Sequence, residues 1–313
     1  MSGTVSQDHL TGWISSVVSV AAPAGALSAL LFYFGYVSAR SKYEYFGVDV
    51  DTIELSTKEY IMRSPQPLLV PLLGLALTGA GLLALHVRVR NRIVAARASD
   101  NAAAFRRRID RATRAATIAG AVVLGLAVVV LLSYSELRRW PLYGLVTPLL
   151  FVVGGGTVTY ASRVSSLLRN AYDEEPGPGQ PVPAASSHRA VTILTYAAVA
   201  VSVFWSAATI AQWSGRGQAQ DAARHLDRLP RVILDTKERL FLRSPGVEET
   251  TLPPSPGQSF RYRYRRLHLL IVGRNRMFLV PETWSASNST LVVPLNDSVR
   301  VQFQFQNQSP PAS

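Results

Sequence analysis

Six arginines carry the most chemistry in this chain: Arg261, Arg263, Arg265 and Arg266 in one short run, then Arg274 and Arg276 just beyond Gly273. Guanidinium groups grip phosphate and carboxylate through paired N–H donors. Gathered on one face, these six point to an anionic surface such as phospholipid headgroups or a cell-wall polymer. The same arginines on an exposed strand equally serve to keep its edge from pairing with another chain. A second set is Pro148 with Gly154, Gly155 and Gly156. Such residues either break a helix, opening backbone carbonyls to an ion or substrate, or give a flat face for a neighbouring helix, as Ala121 and Gly125 also do.

Catalytic constellations are thin. The histidines at 9, 86, 188, 225 and 268 are scattered, with no His-x-x-Glu-His pair to hold a metal, and neither Gly-x-Ser-x-Gly nor a phosphate-binding Gly-x-x-x-x-Gly-Lys occurs. Asp173, Glu174 and Glu175 form a solvated charge run rather than an acid/base pair. With no cysteine in the chain, disulfides, zinc thiolates, iron–sulfur ligation and a thiol nucleophile are excluded. No cofactor is expected, and no enzymatic activity.

The elements that must position these residues are dominated by lipid. Five apolar stretches, Trp13–Val37, Pro67–His86, Ala115–Ser133, Pro141–Ala161 and Ala190–Trp213, each lack an ionisable residue between their ends. A hydrocarbon core of ~30 Å needs about 20 residues of helix, so all five read as spans of a multi-pass membrane protein. The 48% hydrophobic content agrees. Charge-coupled transporters keep ionisable groups inside their spans, so this class is disfavoured, and five spans without an internal repeat do not suggest inverted repeats. The first span is longer than a signal-peptide core, with no Lys or Arg before it, and reads as retained.

Net charge of +12 could suggest nucleic acid, but nine arginines between Arg88 and Arg114 join the second and third spans. That is the positive-inside pattern of a cytoplasmic loop, and no nucleic-acid partner is expected. It places the N-terminus in the cytoplasm, the 40–66 segment outside and everything after residue 213 outside. Arg138 and Arg139 in the 134–140 turn are a minor vote against this. The Pro176–Pro183 run reads as a cytoplasmic linker.

After an amphipathic helical extension over 214–229, Pro230 breaks the pattern and short strands begin. Seven are expected: Arg231–Leu234, Arg239–Leu242, Phe260–Arg265, Leu267–Val272, Met277–Val280, Leu291–Pro294 and Val299–Phe305. The first two suggest a hairpin across Asp235–Glu238; the fourth and fifth suggest a stronger one across Gly273–Arg276. Alternation puts Phe260, Tyr262 and Tyr264 on one strand face. Residues 230–306 thus form a small antiparallel all-β domain, a sandwich or open barrel, followed by a disordered 307–313 tail.

Between the first two spans, Ser56-Thr57-Lys58-Glu59 matches a capping box and predicts a helix over Thr57–Met62. Before it, Tyr43, Tyr45, Phe46 and Val48 either form an interfacial belt or dock this loop on the C-terminal domain. Tyr45–Asp49 and Leu55–Ser64, with Lys237–Leu240 and Tyr262–Pro281, resemble uncharacterised multi-pass membrane proteins of actinobacteria. The arginine and alanine richness suits a high-GC genome of that kind. The resemblance implies compartment and organism class but no activity.

Two functions are therefore expected in contrast. One is a non-catalytic membrane protein whose extracytoplasmic β domain meets lipid, an envelope protein or an anionic polymer. The other is a transporter or channel-like subunit working through a broken fourth helix.

Overall fold

The structure, a computed structural model, describes residues 5–97, 102–137, 139–172, 185–242, 244–285 and 289–304. Seven helices precede six strands: α1 (Val5–Glu44), α2 (Thr57–Arg63), α3 (Pro65–Arg97), α4 (Ala102–Leu132), α5 (Tyr134–Leu137), α6 (Tyr143–Tyr172) and α7 (Ala185–Arg224), then β1 (Arg231–Thr236), β2 (Glu248–Thr251), β3 (Tyr262–Val272), β4 (Arg276–Pro281), β5 (Leu291–Pro294) and β6 (Val299–Gln304). Among the described residues, five helical segments are long and apolar enough to cross a membrane: Ala22–Glu44, Pro65–Ala96, Ala103–Leu132, Tyr143–Leu168 and Ile193–Arg224. In hydrocarbon the helix satisfies its own backbone groups, which is why these runs fold as they do. The Pro176–Pro183 linker and the 307–313 tail lie outside the described residues.

The chain divides into two compact units, Leu69–Ile210 and the remainder, Met1–Leu68 with Ala211–Ser313. In the first of these, α4 and α6 run tightly together. A Cβ on Gly120 would lie 3.0 Å from the Gly154 carbonyl oxygen, and one on Gly154 would lie 3.0 Å from that of Gly120. The two backbones touch where both lack a side chain, the small-residue logic of helix pairing in lipid. Nearer the arginine-rich end, Ile93, Val164 and Leu168 form a buried cluster with Phe105, Ile109 and Tyr160 packed on it. α3 is otherwise bare, with only 6% of its most apolar window buried.

The other unit is built around a single antiparallel sheet in the order β5-β4-β3-β1-β6, with β2 also pairing β3. It has six strands rather than the expected seven. Phe260–Arg265 and Leu267–Val272 merge into the one long β3, Glu248–Thr251 adds β2, and Arg239–Leu242 is not a strand. Nor does a hairpin form across Asp235–Glu238, because β1 keeps Asp235 and Thr236 in register with β3 and β6. Phe241 takes a φ of 48°, which ends any extended run there. Leu240 instead donates its N–H to the Tyr264 hydroxyl at 2.8 Å, and Leu242 packs on the sheet. The expected β3–β4 hairpin does form, closed by the Gly273 N–H on the Arg276 carbonyl at 2.8 Å.

Two bulges bend β3. Arg266 sits at φ 61° between the Tyr264↔Leu234 and Leu267↔Val232 pairs, and Leu270 is the extra residue between Leu269↔Leu279 and Ile271↔Phe278. The sheet then buries both faces. On one side Met277 and Leu279 join Val232, Leu234, Tyr264 and Leu267. On the other, Phe278 and Ile271 meet Tyr43, Val50, Ile53 and Tyr60, while Val280 meets Phe46, Ala219 and Leu226.

That second face bears on the two readings of Tyr43, Tyr45, Phe46 and Val48. Tyr43 and Phe46 are each only 2% exposed, so they are core, docked on the sheet rather than spread as an interfacial belt. The capping box is present: the Ser56 hydroxyl accepts from the Glu59 N–H, and Glu59 accepts from the Ser56 N–H at 2.7 Å. Those bonds from the Ser56 backbone and side chain hold the Glu59 carboxyl below its usual range. Burial, with the Asp51 carboxylate nearby, pushes the Tyr60 phenol up to about 12.

Three glycines let backbones meet in this unit. A Cβ on Gly35 would collide with the Tyr60 carbonyl, one on Gly215 with the Ser38 carbonyl, and one on Gly273 with the Ile53 carbonyl. They join α1 to α2, α1 to α7, and the β3–β4 turn to the 3-10 turn at Val50–Ile53. The Thr290 hydroxyl adds a bond to the Phe46 carbonyl at 2.6 Å.

Candidate functional site

Arg263, Arg265 and Arg266 lie on β3, Arg276 opens β4, and the sheet does not gather the six arginines. Arg261 and Arg274 stand beyond opposite ends of β3, and eleven residues of strand place those ends roughly 30 Å apart. Arg263 lies cross-strand from Asp235 and binds it through two bonds, Nε to Oδ1 at 2.7 Å and Nη2 to Oδ2 at 3.0 Å. From the other flank Arg300 reaches the same carboxylate at 2.6 Å. Asp235 is fully buried, so this Arg–Asp–Arg row is a structural centre. The Arg263 hydrogen bond, joined by Arg300, keeps the Asp235 carboxyl below its ordinary value.

Arg266, turned outward by its bulge, faces Glu282 at 3.7 Å and Glu248 at 3.8 Å. Arg276 faces Glu54 at 3.6 Å. Among the described residues Arg261, Arg265 and Arg274 have no carboxylate partner. Arg274 rims a cleft of about 510 Å3 with Ser56, Glu59 and Gly273. The alternation expected for Phe260, Tyr262 and Tyr264 holds for the two tyrosines, which share the Leu234 face opposite Arg263, whereas Phe260 precedes β3 and lies against the Arg300 guanidinium at 4.9 Å.

In the second candidate set, Gly154 and Gly155 lie at helix contacts and Gly156 does not. α6 continues as helix through Pro148 and through Gly154–Gly156. Proline leaves the carbonyl four residues earlier without its helical donor. Here that carbonyl, Gly144, accepts instead from the Thr209 hydroxyl at 2.9 Å. Gly154 meets α4, Gly155 lies against Val199 and Thr195 of α7, and Gly156 faces open space. On α4 the touching residue is Gly120, whereas Gly125 meets nothing within 4 Å and Ala121 is exposed.

His86 packs edge-on to Tyr160, and no group of His, Asp or Glu suited to a metal occurs among the described residues. Asp235 is hidden in the sequence because Asp235–Glu238 reads as a turn. Its signal was a lone acidic residue among apolar neighbours, Val232 to Leu234, facing an arginine-rich strand. No known protein family, curated protein or solved structure matches the chain.

Proposed function

We propose that this is a non-catalytic integral membrane protein whose β domain, on the extracytoplasmic side, is a fixed docking surface for an envelope component, either a protein or an anionic polymer. The observation that carries this reading is the burial of both sheet faces: Phe278 and Val280 are locked against residues of α1, α2 and α7, so the sheet is part of the membrane-anchored unit and not a tethered appendage. The unpaired Arg261, Arg265 and Arg274 supply the anion-binding contacts, and Phe303, 59% exposed on the edge strand β6, supplies an apolar one. The outward orientation rests on the arginines between 88 and 114. The continuity of α6 supports this reading over a transporter working through a broken fourth helix.

The chain has no cysteine, so single thiols report cleanly. In intact cells a membrane-impermeant thiol reagent is expected to label Ser255→Cys and spare Ser99→Cys. Sedimentation with purified cell wall is expected to fall at least fivefold in the Arg261→Gln/Arg265→Gln/Arg274→Gln variant. Labelling of Ser99→Cys alone overturns the orientation, and unchanged sedimentation overturns the polymer contact.

A further inference from the structure

Within the unit that carries the sheet, α1, the end of α2, the first residues of α3 and α7 enclose a pocket of about 380 Å3, lined by Ser38, Lys42, Arg63, Gln66 and Gln218 with Met62 on its apolar side. Each polar side chain named here can donate a hydrogen bond, and among the described residues no carboxylate lines the pocket. Arg63 donates to the Tyr43 hydroxyl at 2.6 Å, and the Lys42 ammonium lies 6.0 Å from the centre of the same ring. Two cations thus converge on one phenol.

Neither is neutralised. Arg40, Arg231, Arg239, Arg263, Arg266, Arg276 and Arg300 each face a carboxylate, whereas among the described residues Lys42 and Arg63 have none at ion-pair distance. Glu59, whose charge Arg63 feels, is occupied by Ser56 through bonds of 2.7 and 2.8 Å. Like charges held together in a partly enclosed site favour an anion as the third party. Pro65 and Pro67 remove N–H donors from the start of α3, so side chains must do the binding.

The location selects the anion. Lys42 lies near the end of the apolar Ala22–Glu44 segment, Gln66 at the start of Pro65–Ala96 and Gln218 in the last turns of Ile193–Arg224. This is the level at which hydrocarbon gives way to headgroups. We propose that the pocket binds the phosphate of an anionic phospholipid, with Lys42 and Arg63 on its oxygens and Met62 toward the acyl chain. The site is separate from the sheet arginines and does not depend on which side of the membrane it faces.

Native mass spectrometry of the intact detergent-solubilised protein tests it, with phosphatidylglycerol, phosphatidylcholine and inorganic phosphate titrated in parallel. Phosphatidylglycerol is expected to be retained at least tenfold over phosphatidylcholine. Retention is expected to fall at least tenfold in Lys42→Glu and in Lys42→Gln/Arg63→Gln, and to survive in Lys42→Arg and in Arg261→Gln/Arg274→Gln. The Lys42 ammonium makes no hydrogen bond among the described residues, so Lys42→Glu keeps the test sound if the Arg63 change disturbs Tyr43. Equal retention of the two lipids, or wild-type retention by Lys42→Glu, overturns the proposal. Displacement of phosphatidylglycerol by equimolar inorganic phosphate marks a soluble-phosphate site and overturns the lipid assignment.

Discussion

The two units bring backbones into contact by the same device and for different reasons. In the sheet-bearing unit, Gly35 and Gly215 let α1 approach α2 and α7 while Tyr43, Phe46, Ile53 and Phe278 are removed from water around them. In the Leu69–Ile210 unit, Gly120 and Gly154 touch, yet neighbouring apolar residues such as Ile118, Val122 and Val153 stay more than half exposed. Water rewards burial of a side chain by about 1.5–3 kcal/mol, whereas lipid tails leave an exposed leucine content and reward only close contact. The same residue therefore closes a core in one unit and makes a bare seam in the other.

The largest effect should come from filling the closed joints. Gly35→Val or Gly215→Val drives a methyl-bearing carbon into a carbonyl and should cost about 4 kcal/mol or more, seen as a collapsed thermal midpoint and protease sensitivity of the sheet. Gly25→Val, in the same α1 but with nothing within 4 Å, should be silent. An equal loss there would erase the contrast.

Asp235→Asn should follow at about 3 kcal/mol, since two guanidinium groups lose their buried charge partner. Because the folded carboxyl titrates below its unfolded value, its stabilisation is complete above about pH 4 and lost as pH falls further, through the folded pKa. Acid titration of the sheet should therefore show a stability loss that Asp235→Asn lacks.

In the seam, Gly154→Val should cost about 2 kcal/mol and Gly156→Val less than about 0.5 kcal/mol, measured as thermal midpoints in detergent. Between these two falls Thr209→Val, about 1 kcal/mol for the Gly144 carbonyl left without a donor. Pro148→Ala restores that donor, so the double variant should recover most of the loss; failure to do so would show that Thr209 serves packing instead.

Legibility followed the same division. The spans were readable because lipid imposes a long apolar run, the capping box because it is local, and the β3–β4 hairpin because Gly273 and Asn275 punctuate two apolar runs. Gly120 was not singled out, since which glycine of a span meets its neighbour depends on the partner helix. The Arg266 and Leu270 bulges were equally hidden, because each is set by strands far away in sequence. β2, Glu-Glu-Thr-Thr, has no apolar signal at all and exists only by pairing with β3. The arginine face failed as a cluster for a related reason: spacing located the cations, but the carboxylates that occupy Arg263, Arg266 and Arg276 come from β1, β2, the segment after β4 and the turn before α2.

The bond between Thr290 and Phe46 joins residues 244 positions apart. Ribosomes extend a chain at roughly 5–20 residues per second, so Tyr43, Phe46 and Ile53 wait roughly 10–50 s for the strands that will cover them. During that interval the helices are already being inserted while an aromatic segment between the first two has no core to join. Assembly of this unit is thus gated by strands made long after its aromatic loop, and premature termination before β4 should leave a membrane-inserted chain with a sticky, quality-control-visible loop.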